Sequence, residues 1–231
     1  MLKLISSMAT RQLLAELAAQ WQAASRVEVG IESVGGLDAA RRVQAGEAFD
    51  GVVLAGDAID NLIAGGQLVA GSRVDLVQSS VALAVKSGAP VPDISSEAAL
   101  RTAIEAAPSI GYSTGPSGAG LAKLFERWDM TQRLQPRMVR APPGVPVGVL
   151  VARGEVALGF QQLSELLYLE GITVVGVLPD AVAISTTFSA AVCAMSAQRD
   201  ALASLLTFMA SDDVARIKRR HGMQEIQPLK S

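Results

Sequence analysis

Four short polar segments carry the residue types from which an anion site is built. They are Ser6-Ser7-Met8-Ala9-Thr10, Ser33-Val34-Gly35-Gly36, Ser113-Thr114-Gly115-Pro116-Ser117-Gly118 and Pro142-Pro143-Gly144-Val145-Pro146. Each follows a short apolar run and leads into a helical pattern. Serine and threonine hydroxyls donate hydrogen bonds, and glycine lets a backbone approach a ligand closely. A helix start adds unpaired N–H groups at the positive end of its dipole. Any one such junction is also an ordinary cap or turn. Several of them facing one ligand would hold an oxyanion or a carboxylate by hydrogen bonds. Arg11 stands within the first turn or two of the first helix, where a cation opposes the dipole unless an anion is near or the side chain extends into water. Arg140, before the Pro-Pro-Gly loop, has a similar position. Gln161 and Gln162, which close another apolar run, offer donors and acceptors, or one of them faces the core edge.

These junctions require strands that end where helices begin, and the hydrophobic periodicity supplies them. Leu2 to Ile5 reads as a buried strand, and Leu13, Leu14, Leu17, Ala18 and Trp21 then recur at helical spacing. Strand, turn and helix follow again at Val27 to Ile31, Ser33 to Gly36 and Leu37 to Ala45, with Gly46 as the stop. Gly51 to Leu54 is a third strand, Asp57 the expected N-cap of a helix over Ala58 to Ala64, and Gly65-Gly66 its end. An extended run from Arg73 to Val85 breaks this rhythm. It resumes with helices over Ala98 to Ala106, Leu121 to Trp128 and Val147 to Ala152, and strands over Ser109 to Tyr112, Arg137 to Arg140, Val156 to Phe160 and Ile172 to Val177. A second extended run, Ala183 to Ala194, precedes helices over Arg199 to Met209 and Asp212 to Arg220. Alternating strands and helices imply parallel βαβ units. Two extended runs bracketing a central block imply two α/β lobes, residues 1–80 with 190–231 and residues 81–189, joined by two crossings around a cleft.

Composition removes several other classes of function. Half of the 231 residues are hydrophobic but only 4% are aromatic, so the core is built mainly from Ala, Val, Leu and Ile, and a disordered chain is excluded. Twenty basic against 22 acidic side chains leave a formal charge of -2, which gives no general field for nucleic acid or an anionic membrane. The single cysteine, Cys193, cannot form an internal disulfide, and no Cys/His cluster has metal-ligand spacing, so neither a metal nor another cofactor is expected. The only histidine, His221, follows Lys218, Arg219 and Arg220 and reads as a solvated helix end. Apolar runs such as Val81 to Val85 are strand-length, far below the roughly 18 residues of a membrane span. The first residues show no apolar stretch of about 7 to 15 residues as in a secretory leader. The expectation is a cytoplasmic protein as the chain stands, or a periplasmic one if a leader has been removed.

At these residues the chain resembles the type II periplasmic binding proteins, in particular the molybdate-binding branch of ABC-transporter solute receptors. The likeness runs through Ser6-Ser7, Ser33-Val34-Gly35-Gly36-Leu37, Phe49-Asp50-Gly51-Val52-Val53 and Gly154-Glu155-Val156-Ala157-Leu158-Gly159-Phe160, and through the closing Phe208-Met209-Ala210-Ser211 and His221-Gly222-Met223. The resemblance implies a two-lobed fold with an interlobe cleft and a small anionic ligand, with an ABC permease as partner if the protein is exported. In that family a tetrahedral oxyanion is held by hydroxyls and amides from turns matching Ser7, Ser33 with Gly35 and Gly36, Ser117, and the loop at Gly144 and Val145. A tyrosine completes the better-known molybdate sites, and Gln162 stands in its place here. That departure, together with Arg11, favours a larger carboxylate. The same branch includes aconitate isomerase, which implies an alternative function, allylic proton transfer on a small di- or tricarboxylate. Such chemistry needs a base near neutral pH. The turns contain none: Asp38, Asp57 and Glu165 read as helix-cap or surface carboxylates, leaving Tyr112, Ser7 or Ser113 to be recruited.

Overall fold

Strand β1 (Leu2–Ser7) opens a chain that divides into two units, Met1–Ser79 with the chain from Thr186 onward, and Ser80–Ser185. The computed structural model describes residues 1–226. In the first unit β1 leads through a single 3-10 turn to α1 (Arg11–Ser25), followed by β2 (Val29–Val34), α2 (Gly36–Gln44), β3 (Gly51–Ala55), α3 (Gly56–Ala64) and β4 (Val74–Lys86). The boundary between the units falls within β4. Strands β2 and β3 flank β1, both parallel to it.

The second unit continues with α4 (Glu97–Ala106), β5 (Ile110–Tyr112), α5 (Pro116–Arg127), α6 (Thr131–Leu134), β6 (Met138–Arg140), α7 (Val147–Arg153), β7 (Leu158–Gln162), α8 (Leu163–Leu166) and β8 (Ile172–Val177). Strand β5 lies between β6 and β7, parallel to both, and β4 is antiparallel to β7 and to β8. The chain then returns through β9 (Ser185–Val192), α9 (Arg199–Ala210), α10 (Ala215–Arg220) and β10 (Met223–Gln224) to the first unit, where β9 is antiparallel to β3 and β10 to β4.

The strands are apolar on both faces because both faces are covered. In the first unit Leu2, Leu4, Val53 and Ala190 point into a core with Leu13, Leu14, Leu17 and Trp21 of α1 and Leu202, Leu205 and Met209 of α9. Their neighbours Ile5, Val52, Leu54 and Ala191 point the other way, onto Ala39, Val43, Ile59 and Leu62 of α2 and α3. This is the period of two that strands impose. In the second unit Leu83, Ile110 and Phe160 share a core with Leu100, Leu121 and Phe125. The opposite face depends on two cross-paired glycines, Gly111 and Gly159. A Cβ on Gly159 would lie 2.4 Å from Val151 Cγ2, and one on Gly111 2.9 Å from Val147 Cγ1, so α7 reaches its place only because both are absent.

Several local expectations need correction. Ser33 and Val34 are strand residues, since β2 pairs with β1 as far as Ser7↔Val34, and the turn shrinks to Gly35. Ser117 and Gly118 lie in the first turn of α5, which Pro116 begins at a position where its missing N–H costs nothing. Asp57 is inside α3 and not its cap; Ala55 holds that position without a side-chain bond. His221 is not a solvated helix end: it is buried, with Nε2 2.8 Å from Glu16 Oε2. Cys193 is also buried, and burial reinforced by Asp50 pushes its thiol up to about 12, so it stays protonated and unreactive. Among the described residues no helix is long and apolar enough to cross a membrane.

Candidate functional site

In each unit the polar turns emerge at the carboxyl ends of parallel strands. In the first, the register places Ser6 opposite Ser33, and their hydroxyls are 2.8 Å apart. Ser6 is completely buried while Ser33 is half-buried, so with Ser6 as donor the Ser33 proton is left for a ligand. Ser7 caps the 3-10 turn by accepting from the Ala9 N–H at 3.4 Å, and Thr10 Oγ1 donates to the Ser7 carbonyl at 3.0 Å. Gly36 begins α2 beside it, since a Cβ there would lie 3.9 Å from Ser7 Oγ. A Cβ on Gly35 would meet nothing within 4 Å, so this turn faces open space. Ser6, Ser7, Ser33, Gly35 and Gly36 therefore form one cluster. Arg11 begins α1, is exposed, and makes no ion pair among the described residues.

The second unit repeats the device. Ser113 and Ser117 hydroxyls are 2.9 Å apart, the first half-buried and the second buried, and the Gly115 N–H donates to Ser113 Oγ at 3.3 Å. Gly118 is the tight point: its Cβ would fall 1.8 Å from the Ser113 carbonyl oxygen, so no other residue fits without moving the turn. Thr114 is exposed at the tip. Tyr112 pairs with both Arg140 and Phe160, which brings the turns after β5, β6 and β7 to one edge. Gly144, at a φ of 76°, lies in the exposed loop after β6, and the Val145 N–H is occupied by the Pro142 carbonyl at 3.0 Å. Arg140 is exposed at the end of β6 without an ion pair among the described residues. Gln162 is buried at the end of β7.

Sequence reasoning missed the adjoining pair. Gln161 Oε1 accepts the Val147 N–H at 2.7 Å, which turns Gln161 Nε2 toward Glu165 Oε1 at 2.8 Å. Glu165 is not a surface carboxylate. It is half-buried and forms no salt bridge among the described residues. Burial, opposed by the Gln161 bond, pushes its carboxyl up to about 7. Its neighbour Ser164 has a buried hydroxyl with no hydrogen-bond partner among the described residues. The available signal was a glutamate set four residues after Gln161 in the apolar run Leu163-Ser164-Glu165-Leu166-Leu167. Among the described residues no cluster of three His, Cys, Asp or Glu side chains has metal-binding geometry.

The two α/β units, matched by the family profile and by solved structures, have the fold of the type II periplasmic-binding-protein class. The chain belongs to the bacterial extracellular solute-binding protein family, whose profile matches residues 2–224. It is 41% identical over 186 residues to an aconitate isomerase from a Pseudomonas species, spanning 80% of this chain and 71% of that one. Its fold matches the periplasmic molybdate-binding protein of Azotobacter vinelandii with a TM-score of 0.78 at 18% identity, over 98% of this chain and all (100%) of that one. The sulfate-binding protein of Mycobacterium tuberculosis gives a TM-score of 0.80 at 16% identity, over 98% of this chain and 87% of that one.

Proposed function

We propose that the protein binds a small unsaturated polycarboxylate through its carboxyl-edge turns and isomerises it by moving an allylic proton, as between trans- and cis-aconitate. The observation that carries this reading is the 41% identity to an aconitate isomerase across 80% of the chain. The local chemistry supports it. A tetrahedral oxyanion needs hydroxyls and amides alone, whereas Arg11 adds an unpaired cation suited to a further carboxylate. Open space at Gly35 leaves room for a ligand longer than an oxyanion. Each unit offers a hydroxyl backed by a buried serine, Ser33 by Ser6 and Ser113 by Ser117, and such a hydroxyl donating to a carboxylate oxygen stabilises the charge that spreads onto it when a proton leaves.

A second reading, a transport receptor for a small anion that delivers its ligand to an ABC permease, is favoured by the family profile and the anion-binding structural relatives. Proton NMR of trans-aconitate incubated with the protein separates the two. Appearance of the cis isomer above a protein-free control establishes the isomerase. Line broadening without conversion leaves a carboxylate receptor, and neither effect redirects the search to molybdate, tungstate and sulfate.

A further inference from the structure

We infer that Glu165 is the base that carries the proton in this reaction, an inference that rests on the isomerase reading above. Strand β7 passes directly into α8 with no intervening loop, so Glu165 is held within one helical turn of the edge that bears Ser113 and Ser117.

The Val147 N–H can bond only to the oxygen of the Gln161 amide, which commits the Gln161 NH2 to Glu165 Oε1. One carboxylate oxygen is thereby fixed, and the other, Oε2, makes no hydrogen bond among the described residues. Gln161 is a positioning residue: it orients the carboxylate and favours its ionised form.

Leu166 of α8 packs against Ala82 and Ala84 of β4, with Ile172 and Val174 of β8 alongside, and Gly148 of α7 faces Leu166 and Leu169. Strands β7 and β8 carry no titratable side chain, α7 carries only Arg153 in its last turn, and β4 in this unit carries only Lys86 at its end. Among the described residues no salt bridge neutralises Glu165, and its carboxyl, raised to about 7 by burial, is a competent base at neutral pH.

The step balances without a cofactor. Glu165 takes a proton from the ligand's methylene carbon, and the C–H electron pair becomes the new C=C bond. The pair of the former double bond then takes that proton back from Glu165 at its outer carbon. The base is regenerated and no electron is gained or lost. A suprafacial transfer by one carboxylate needs no second acid.

The test follows trans-aconitate by proton NMR in heavy water with the wild-type chain, Glu165→Gln, Glu165→Asp and the control Glu170→Gln, an exposed carboxylate of the same segment. Calorimetry measures binding of the same compound. The inference expects Glu165→Gln to bind within about threefold of wild type while conversion and deuterium uptake fall by on the order of 10²- to 10⁴-fold. Glu165→Asp, which keeps a carboxylate, retains part of the turnover, and Glu170→Gln retains all of it. The wild-type kcat/KM rises through about pH 7. Conversion by Glu165→Gln within about tenfold of wild type places the base elsewhere and leaves the isomerase reading intact. Loss of binding together with turnover makes Glu165 a structural residue and overturns the inference. Absence of both conversion and exchange in the wild-type protein overturns the isomerase reading and the base with it.

Discussion

Replacing Glu165 by Gln removes a charge that the fold penalises, so the variant gains stability over the wild type as the pH rises. Burial lifts this carboxyl from 4.5 to about 7, against the opposing bond from Gln161. Below 4.5 the group is protonated in the folded and the unfolded chain alike, and nothing is lost. Between 4.5 and about 7 the unfolded chain releases the proton while the folded one keeps it, so the native state binds more protons and stability falls with pH. Above that window the folded protein ionises too, and the loss levels off at no more than about 3 kcal/mol. At about pH 5.5 the same relation gives roughly 1 kcal/mol. Glutamine has the same shape, is neutral throughout, and keeps an oxygen for Gln161 Nε2. The stability difference between variant and wild type is therefore expected to grow by about 2 kcal/mol between about pH 5.5 and pH 8.5, whatever its constant offset. Urea unfolding measures it. The two tryptophans fall one in each unit, and Trp21→Phe leaves Trp128 as a buried fluorescent probe in the unit that carries Glu165. A difference that stays flat across this range, or that shrinks as pH rises, refutes the desolvation of Glu165 without an ion pair.

Gly118→Ala places a methyl group 1.8 Å from the Ser113 carbonyl oxygen, so the Ser113–Ser117 turn must open. Thermal unfolding should show a loss of at least about 1–3 kcal/mol, and calorimetry a loss of ligand affinity. Arg11→Ala should leave stability within about 0.5 kcal/mol, because the side chain is exposed and unpaired, yet weaken a tricarboxylate by at least about tenfold and an oxyanion much less. Equal effects on both ligands would remove Arg11 from the site. His221→Ala breaks the contact of a buried histidine with the half-buried Glu16 and should cost about 1–3 kcal/mol in urea unfolding, whereas a solvated histidine would cost almost nothing.

Much of the architecture was legible because periodicity is a local property. Alternation along Leu2, Leu4 and Ile5, and helical spacing from Leu13 to Trp21, mark faces that must be covered whatever covers them. Gly46 and Gly154 end their helices at a φ of 77° and 76°, a backbone geometry that glycine adopts freely. The serines and glycines at strand ends were visible for the same reason, since strand-to-helix turns draw on few residue types. What periodicity does not contain is register. The pairing of Ser6 with Ser33 across 27 positions makes a strand residue of a presumed turn residue and joins two hydroxyls. His221 meets Glu16 across 205 positions only because the C-terminal helix packs beside α1. Glu165 looked like any helix-start carboxylate. Its altered acidity arises from burial, against the opposing bond of an amide that the backbone at Val147 fixes. Residue order determines which side chains share a face. The electrostatic character of a charge depends on how much water surrounding elements remove, and that was decided only when the chain folded.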